Sequence, residues 1–172
     1  MLTMLLNDFL SISRLEEGQV ELCLEEINFH AFYQDVIDEM DKLLKKGQTL
    51  VTNHQNEDLV VEMDKKLLKL ILINLISNAS KYSDEGETIV CETKLDGQYF
   101  TINIIDKGMG IPEEDKPHMF DRFFRASNAM NIKGTGLGLH IVKRYAEMMN
   151  GELTFESELG KGSTFTVKFL IR

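Results

Sequence analysis

The stretch Gly134–Gly151, GTGLGLHIVKRYAEMMNG, joins three alternating glycines to an amphipathic helical pattern. Gly134, Gly136 and Gly138 lack a Cβ, so the backbone there can take positive φ and come close to a ligand. A helix starting at this point offers unpaired N–H groups and the positive end of its dipole to an anion. Spacing excludes two familiar phosphate loops. A dinucleotide fingerprint needs a glycine three residues after Gly136, where Leu139 stands. A P-loop needs G-x-x-x-x-G-K-[ST], and Gly160-Lys161 comes nearest. Phe155 holds its first glycine position and Gly162 its hydroxyl position. A nucleotide bound at Gly134–Gly138 therefore requires a different fold.

Working outward, the helical pattern covers 137–149 and is followed by strand patterns near 152–158 and 163–171, turning at Gly160-Lys161-Gly162. Before the glycines, residues 107–135 form a long irregular stretch containing Pro112 and Pro117. Such stretches in compact domains are mostly lids or disordered segments. Residues 87–95 and 98–106 predict a hairpin turning at Asp96-Gly97. Asp64 predicts the cap of a helix over 65–82, and two strand-like pieces lie near 48–53 and 58–62. Asn28 predicts the cap of another helix, with Phe32, Val36, Met40 and Leu43 on its buried face and Gly47 ending it. A short extended stretch surrounds Leu22, Leu24 and Ile27. Residues 1–17 predict a first helix with Leu2, Leu5, Phe9 and Ile12 at alternating spacings, as in a bundle seam, stopped by Gly18. The sum is an α/β (α+β) two-layer sandwich of a mixed sheet and three main helices, preceded by one separate helix.

The 172 residues suffice for one domain with a sizeable core, and 43% hydrophobic with 27% charged residues is ordinary for a globular chain. A net charge of −9 argues against non-specific binding to nucleic acid or acidic membranes. Any polyphosphate site must then be locally electropositive, through helix ends, a few Lys or Arg side chains and a metal ion. No stretch is long enough to predict a membrane span, and the N-terminus does not read as a signal peptide. Cys23 and Cys91 are far apart, which fits a reducing cytoplasm better than a disulfide framework.

Three further stretches could carry chemistry. In LLKLILINLISNASKYS (67–83) nearly every face is Leu or Ile, yet Asn74, Asn78 and Lys81 share one helix face, with Tyr82 beside them. Buried amides need hydrogen-bond partners. They either satisfy local backbone groups or line a pocket, where an amide oxygen suits Mg²⁺ and Lys81 suits phosphate. In IIDKGMGIP (104–112), Asp106 ends an apolar strand before two glycines. It either starts a turn or accepts a hydrogen bond from an exocyclic amine, which adenine has. In MFDRFFRAS (119–127), Phe120, Phe123 and Phe124 could anchor a loop on the core. Arg122 and Arg125 between them are either solvated or reach a phosphate, and Lys133 is another candidate for that contact.

These stretches, in this order, resemble the motifs of the catalytic ATP-binding domain of sensor histidine kinases. NLISNASKYS is similar to the N box, DKGMGIP to the G1 box, MFDRFFRAS to the F box and GTGLGL to the G2 box. GKGSTFTVKF near the end is also typical. The resemblance covers about 28–172, on a fold shared with gyrase-type and chaperone-type ATPases. Residues 1–18 resemble the end of the second dimerisation helix, leaving 19–172 as the ATP-binding domain with its lid at about 107–135.

The resemblance implies ATP and Mg²⁺ as ligands and phosphoryl transfer as the activity. Asn78 is then the metal ligand, Asn74 and Lys81 face the phosphates, and Tyr82 lines the pocket. Asp106 accepts from the adenine amine, with Gly108 and Gly110 allowing close approach. Arg125 positions the γ-phosphate. Gly134, Gly136 and Gly138 let the lid fold round the triphosphate, anchored by Leu137 and Leu139. Ile111, Phe120, Lys133, Thr135 and Thr164 complete the implied nucleotide contacts. Lys107 departs from the family, which often has Asn there. Asn74 stands where gyrase-type relatives carry a Glu, and an amide is no general base, which favours transfer over hydrolysis.

None of His30, His54, His118 and His140 stands in a phosphoacceptor context, so the acceptor is expected on a dimerisation domain upstream, of the same or a partner chain. The implied partners are that domain, in a full-length homodimer, and a response-regulator receiver domain; nucleic acid and membrane contact by this chain are not expected, and the location is cytoplasmic, with membrane anchoring of the full-length protein left open. Two other classes remain open: a nucleotide-sensing interaction module, and a Ser/Thr-directed kinase or ATPase on the same fold.

Overall fold

The computed structural model describes residues 2–54 and 59–171. Helix α1 (Leu2–Glu16) ends at Gly18, whose φ of +65° turns the chain away. Of the expected seam, the side chains of Leu2, Leu5 and Phe9 lie outside the described ones, while Ile12 is buried. Strand β1 (Glu25–Asn28) leads to Asn28, whose side chain accepts from the Ala31 N–H at 2.9 Å and caps α2 (Phe29–Met40). Phe32, Val36 and Met40 are buried as expected. Leu43 is not: it is 68% exposed, because α2 stops at Met40 and a 3₁₀ turn over Asp41–Leu43 changes the helical phase. Gly47 therefore serves a later turn and not the helix end.

Strands β2 (Thr49–His54) and β3 (Val60–Met63) part company. β3 pairs antiparallel with β1 in a two-stranded sheet, whereas β2 lies parallel to β4 (Thr88–Asp96). Residue 58 of the expected second piece lies outside the described residues. The main sheet has five strands in the order β2-β4-β5-β7-β6, with β5 (Tyr99–Asp106), β6 (Gly151–Glu158) and β7 (Gly162–Leu170) antiparallel to their neighbours. Asp96 pairs with Tyr99, so the β4–β5 turn is Gly97-Gln98, one residue later than expected, with Gly97 at φ +61°.

Helices α2, α3 (Lys65–Tyr82) and α4 (Gly138–Met148) cover one face of this sheet. Asp64 caps α3 by accepting from the Lys66 and Leu67 N–H groups, each at 3.0 Å. The core lies between the layers. Leu68, Ile71 and Leu72 of α3 meet Ile102 and Phe100 of β5 there, all essentially inaccessible to water. Cys91 faces this core, and burial pushes its thiol up to about 12, which leaves it inert. α1 precedes the sandwich and leans on α4 and the segment 107–137. Among the described residues no helix is long and apolar enough to cross a membrane.

Candidate functional site

The last two turns of α3, the end of β5 and the loop before α4 enclose a cleft of about 1000 Å³, counting its open mouth. Asp106, the last residue of β5, lines it. It is 7% exposed, and its carboxylate accepts from the Gly108 N–H at 2.8 Å. Burial raises its pKa above the usual carboxylate range, opposed by the hydrogen bonds from the Gly108 and Ser163 N–H groups. Gly110, Ile111 and Tyr82 line the wall beside it.

The α3 wall of the cleft carries amides and an ammonium. Asn74, Asn78 and Lys81 of α3 all face the cleft, as their spacing requires. Asn74 donates from Nδ2 to the Leu70 carbonyl at 2.8 Å, which aims Oδ1 elsewhere. A Cβ on Gly138 would lie 3.1 Å from that Oδ1 and 4.0 Å from Asn78 Nδ2. The missing side chain keeps the amide pair open to the cleft. A Cβ on Gly134 would lie 2.5 Å from Lys81 Nζ, which stands 4.7 Å from the Tyr82 ring centroid. Among the described residues no cluster of three or more His, Cys, Asp or Glu could hold a metal. The amide oxygens of Asn74 and Asn78 are hard donors of the class Mg²⁺ takes, an ion that accepts few protein ligands and completes its shell with phosphate oxygens and water.

The segment 107–137 closes the cleft on its outer side. It contains two 3₁₀ turns, Glu113–His118 and Ser127–Ala129. Asp115 accepts from the N–H and the hydroxyl of Ser127, each at 2.7 Å, and these bonds hold its carboxyl below the usual range. Asn128 donates to the Gly110 carbonyl at 2.9 Å. Gly136, at φ +74°, presses on the backbone of Phe123, where a Cβ would lie 2.6 Å from the carbonyl carbon. Phe123 itself takes φ +62°, and its ring is 63% exposed. Only Phe120 and Phe124 of the expected aromatic anchor are partly covered, Phe120 edge-on to Phe155 at 5.5 Å.

Twelve of the eighteen expected site residues line the cleft, and the exceptions have structural reasons. Gly108 is buried beneath the wall, Leu137 is buried in the core, and Gly134 abuts Lys81 from behind. Lys133 is exposed, and Phe120 lies on the far side of the segment beside Arg122 and His140. Thr164 is displaced by strand alternation: Ser163 and Phe165 point into the cleft, so Thr164 points to the other sheet face. Lys107 is exposed, with Asp106 and Gly108 buried on either side.

Arg125 lines the cleft, but its guanidinium donates to the Ala129 carbonyl at 2.8 Å, to Met130 at 3.3 Å, and to Ile132. It staples the turn that precedes the glycines. Arg122 pairs with Glu16 of α1. Asp8 of α1 also reaches the cleft, accepting from the Thr135 hydroxyl at 2.8 Å. Ser77, Met109, Met119 and Asn128 also line it without being expected. Ser77 carries a signal in hindsight, since it lies between Asn74 and Lys81 on the same helix stripe.

Residues 63–172 match the model of the histidine kinase-, DNA gyrase B- and HSP90-like ATPase family. The chain is 34% identical over 166 residues to the sensor histidine kinase WalK of Bacillus subtilis, covering 94% of this chain and 27% of that protein. It is 32% identical over 172 residues to the sensor histidine kinase RcsC of Escherichia coli, covering 98% of this chain and 18% of RcsC. The chain thus spans under a third of either relative. Full-length ShkA, crystallised with AMPPNP, superposes with a TM-score of 0.86 at 26% identity, over 99% of this chain and 36% of ShkA. The Acinetobacter baumannii histidine kinase AdeS gives 0.82 at 26% identity, over 99% and 79%. With its Asn-rich helix face, buried strand-end carboxylate and glycine loop around one cleft, the chain belongs to the histidine kinase-, DNA gyrase B- and HSP90-like ATPase family, as a catalytic domain of the sensor histidine kinase type.

Proposed function

We propose that this chain binds ATP with Mg²⁺ in the cleft and passes its γ-phosphoryl group to a histidine on a dimerisation domain, for relay to a receiver-domain aspartate. The observation that carries the reading is that one cleft brings together a buried carboxylate from the end of β5 with the amides and the lysine of α3. A base with an exocyclic amine suits the first, and a triphosphate suits the second.

In this reading the histidine nitrogen forms a bond to the γ-phosphorus, the bond to the β–γ bridging oxygen breaks, and ADP leaves. Asn78, with Asn74 beside it, would hold Mg²⁺, which when bound would supply positive charge against the phosphate oxygens. Lys81 adds a second positive charge there. Thr135 and the backbone of Gly136 and Gly138 cradle the phosphates, with Leu137 and Leu139 as anchors. Arg125 reaches the γ-phosphate only by exchanging its carbonyl partners for phosphate oxygens, a charge-assisted contact that favours the exchange. Neither Asn74 nor Asn78 can deprotonate water, so hydrolysis is slow relative to transfer. Residues 1–18 serve as the end of the second dimerisation helix, and 107–135 as the lid.

The test is labelling of the full-length kinase that carries this chain with γ-labelled ATP. The expected product is a phosphoprotein whose label is lost in acid and kept in base. An acid-stable label would indicate a hydroxyl-directed kinase. ATP binding with no label would reduce the chain to a nucleotide-sensing module.

A further inference from the structure

The C-terminal end of α3 is unusual in how its carbonyls are satisfied. A helix leaves its last four C=O groups without intrahelical partners. Here α3 ends at Tyr82 with an extended Ser83 and no glycine cap. Three of those four carbonyls are taken from outside the helix. Gln48 Nε2 donates to the Ser80 carbonyl at 3.0 Å, Lys45 Nζ to the Lys81 carbonyl at 2.9 Å, and the Met109 N–H to the Tyr82 carbonyl at 3.1 Å. Lys45 Nζ also reaches the Ser83 carbonyl at 2.7 Å, and Gln48 Nε2 the Asp84 carbonyl at 3.0 Å.

Gln48 is only 7% exposed, and both ends of its amide are used. Its Oε1 accepts from the Ser80 hydroxyl at 2.6 Å and from the Lys45 N–H at 3.0 Å. The two side chains therefore form one unit, built on the turn before β2, that grips the last turn of α3. The Lys45 ammonium also sits at the negative end of the helix dipole. On the opposite side of that same turn, the Lys81 side chain faces the cleft beside Gly134. Neither Lys45 nor Gln48 lines the cleft.

We propose that Lys45 and Gln48 are positioning residues that fix the last turn of α3, and so aim Lys81 at the phosphate end of the nucleotide. This rests on the nucleotide-binding reading above. A unit that merely held the fold together would alter stability and leave the affinity of the folded protein unchanged. A unit that aims Lys81 must lose its effect once the Lys81 ammonium is gone.

The experiment is a double-mutant cycle on this chain, with affinity for a non-hydrolysable ATP analogue in Mg²⁺ read by calorimetry and folding checked by circular dichroism. Gln48→Ala is expected to weaken binding about tenfold in the native background and less than about twofold in the Lys81→Ala background. Equal weakening in both backgrounds, or none in either, overturns the inference. Should Gln48→Ala fail to fold, Lys45→Met takes its place in the same cycle, with the same expected non-additivity and the same overturning results. A native chain that does not bind the analogue contradicts the nucleotide reading itself, an outcome distinct from an additive cycle.

Discussion

Replacing Asn78 by alanine is expected to weaken Mg²⁺-dependent ATP binding about a hundredfold, or about 2.7 kcal/mol. With the metal chelated, the two proteins should differ by less than about twofold. The basis is geometric. Asn78 stands on the cleft face of α3 one turn beyond Asn74, opposite the open space left by Gly138. Asn74 has its amide nitrogen committed to the Leu70 carbonyl, so it cannot reorient freely to replace a lost partner. The Asn78 side chain is half-buried and makes no hydrogen bond among the described residues. Its removal should therefore leave the melting temperature within about 2 °C of the parent's. Isothermal calorimetry with and without chelator, beside a thermal melt, separates the two effects. Equal binding by both proteins in Mg²⁺ would remove Asn78 from the metal.

The second large effect is expected at Asp106. Asp106→Asn should lower ATP affinity between about tenfold and a hundredfold, the value of a hydrogen bond to a charged group, and leave GTP binding unchanged. The buried carboxylate only accepts, and an amide in its place would set a donor against the amine of adenine. Equal ATP and GTP binding in both proteins would overturn the assignment. A pH dependence accompanies it. Because burial raises the Asp106 pKa, the carboxyl takes up its proton at higher pH than a surface aspartate does. Binding through the ionised form is full above that raised pKa and falls as pH drops through it. Stability moves the other way. Between the usual and the raised pKa the folded state binds more protons than the unfolded one, so the contribution of Asp106 to stability increases as pH falls. ATP titrations of the parent protein over this range should weaken with acid, and those of Asp106→Asn should not.

Local signals in the sequence transferred well to the fold. The caps Asn28 and Asp64 stand where side-chain chemistry predicts them, and the stripe Asn74, Asn78, Lys81 faces one cleft because helical spacing dictates it. The errors fall where non-local geometry decides. Pairing of β1 with β3 joins segments whose strand patterns carry no record of each other. The exposure of Leu43 depends on where α2 stops, and Phe123 turns outward where its backbone meets Gly136, later in the same segment. At Thr164 the pleat of β7 turns the side chain away and brings its neighbour Ser163 to the cleft. Lys45 and Gln48 could not be found by pattern at all, since what they grip is the backbone of a helix more than thirty residues away.

The contacts of α1 bear on how the lid is held. Asp8 places a carboxylate on the Thr135 hydroxyl, and Glu16 pairs with Arg122, so the helix touches the segment near its middle and at its glycine end. A triphosphate competing for Thr135 has to displace or accommodate that negative charge.

The most direct measurement is calorimetric titration of this chain with a non-hydrolysable ATP analogue, with and without Mg²⁺, and with a GTP analogue as control. The expected result is adenine-selective binding strengthened by Mg²⁺. No binding at millimolar nucleotide, or equal binding of the two analogues, would contradict a cleft built around Asp106 and Asn78 for ATP.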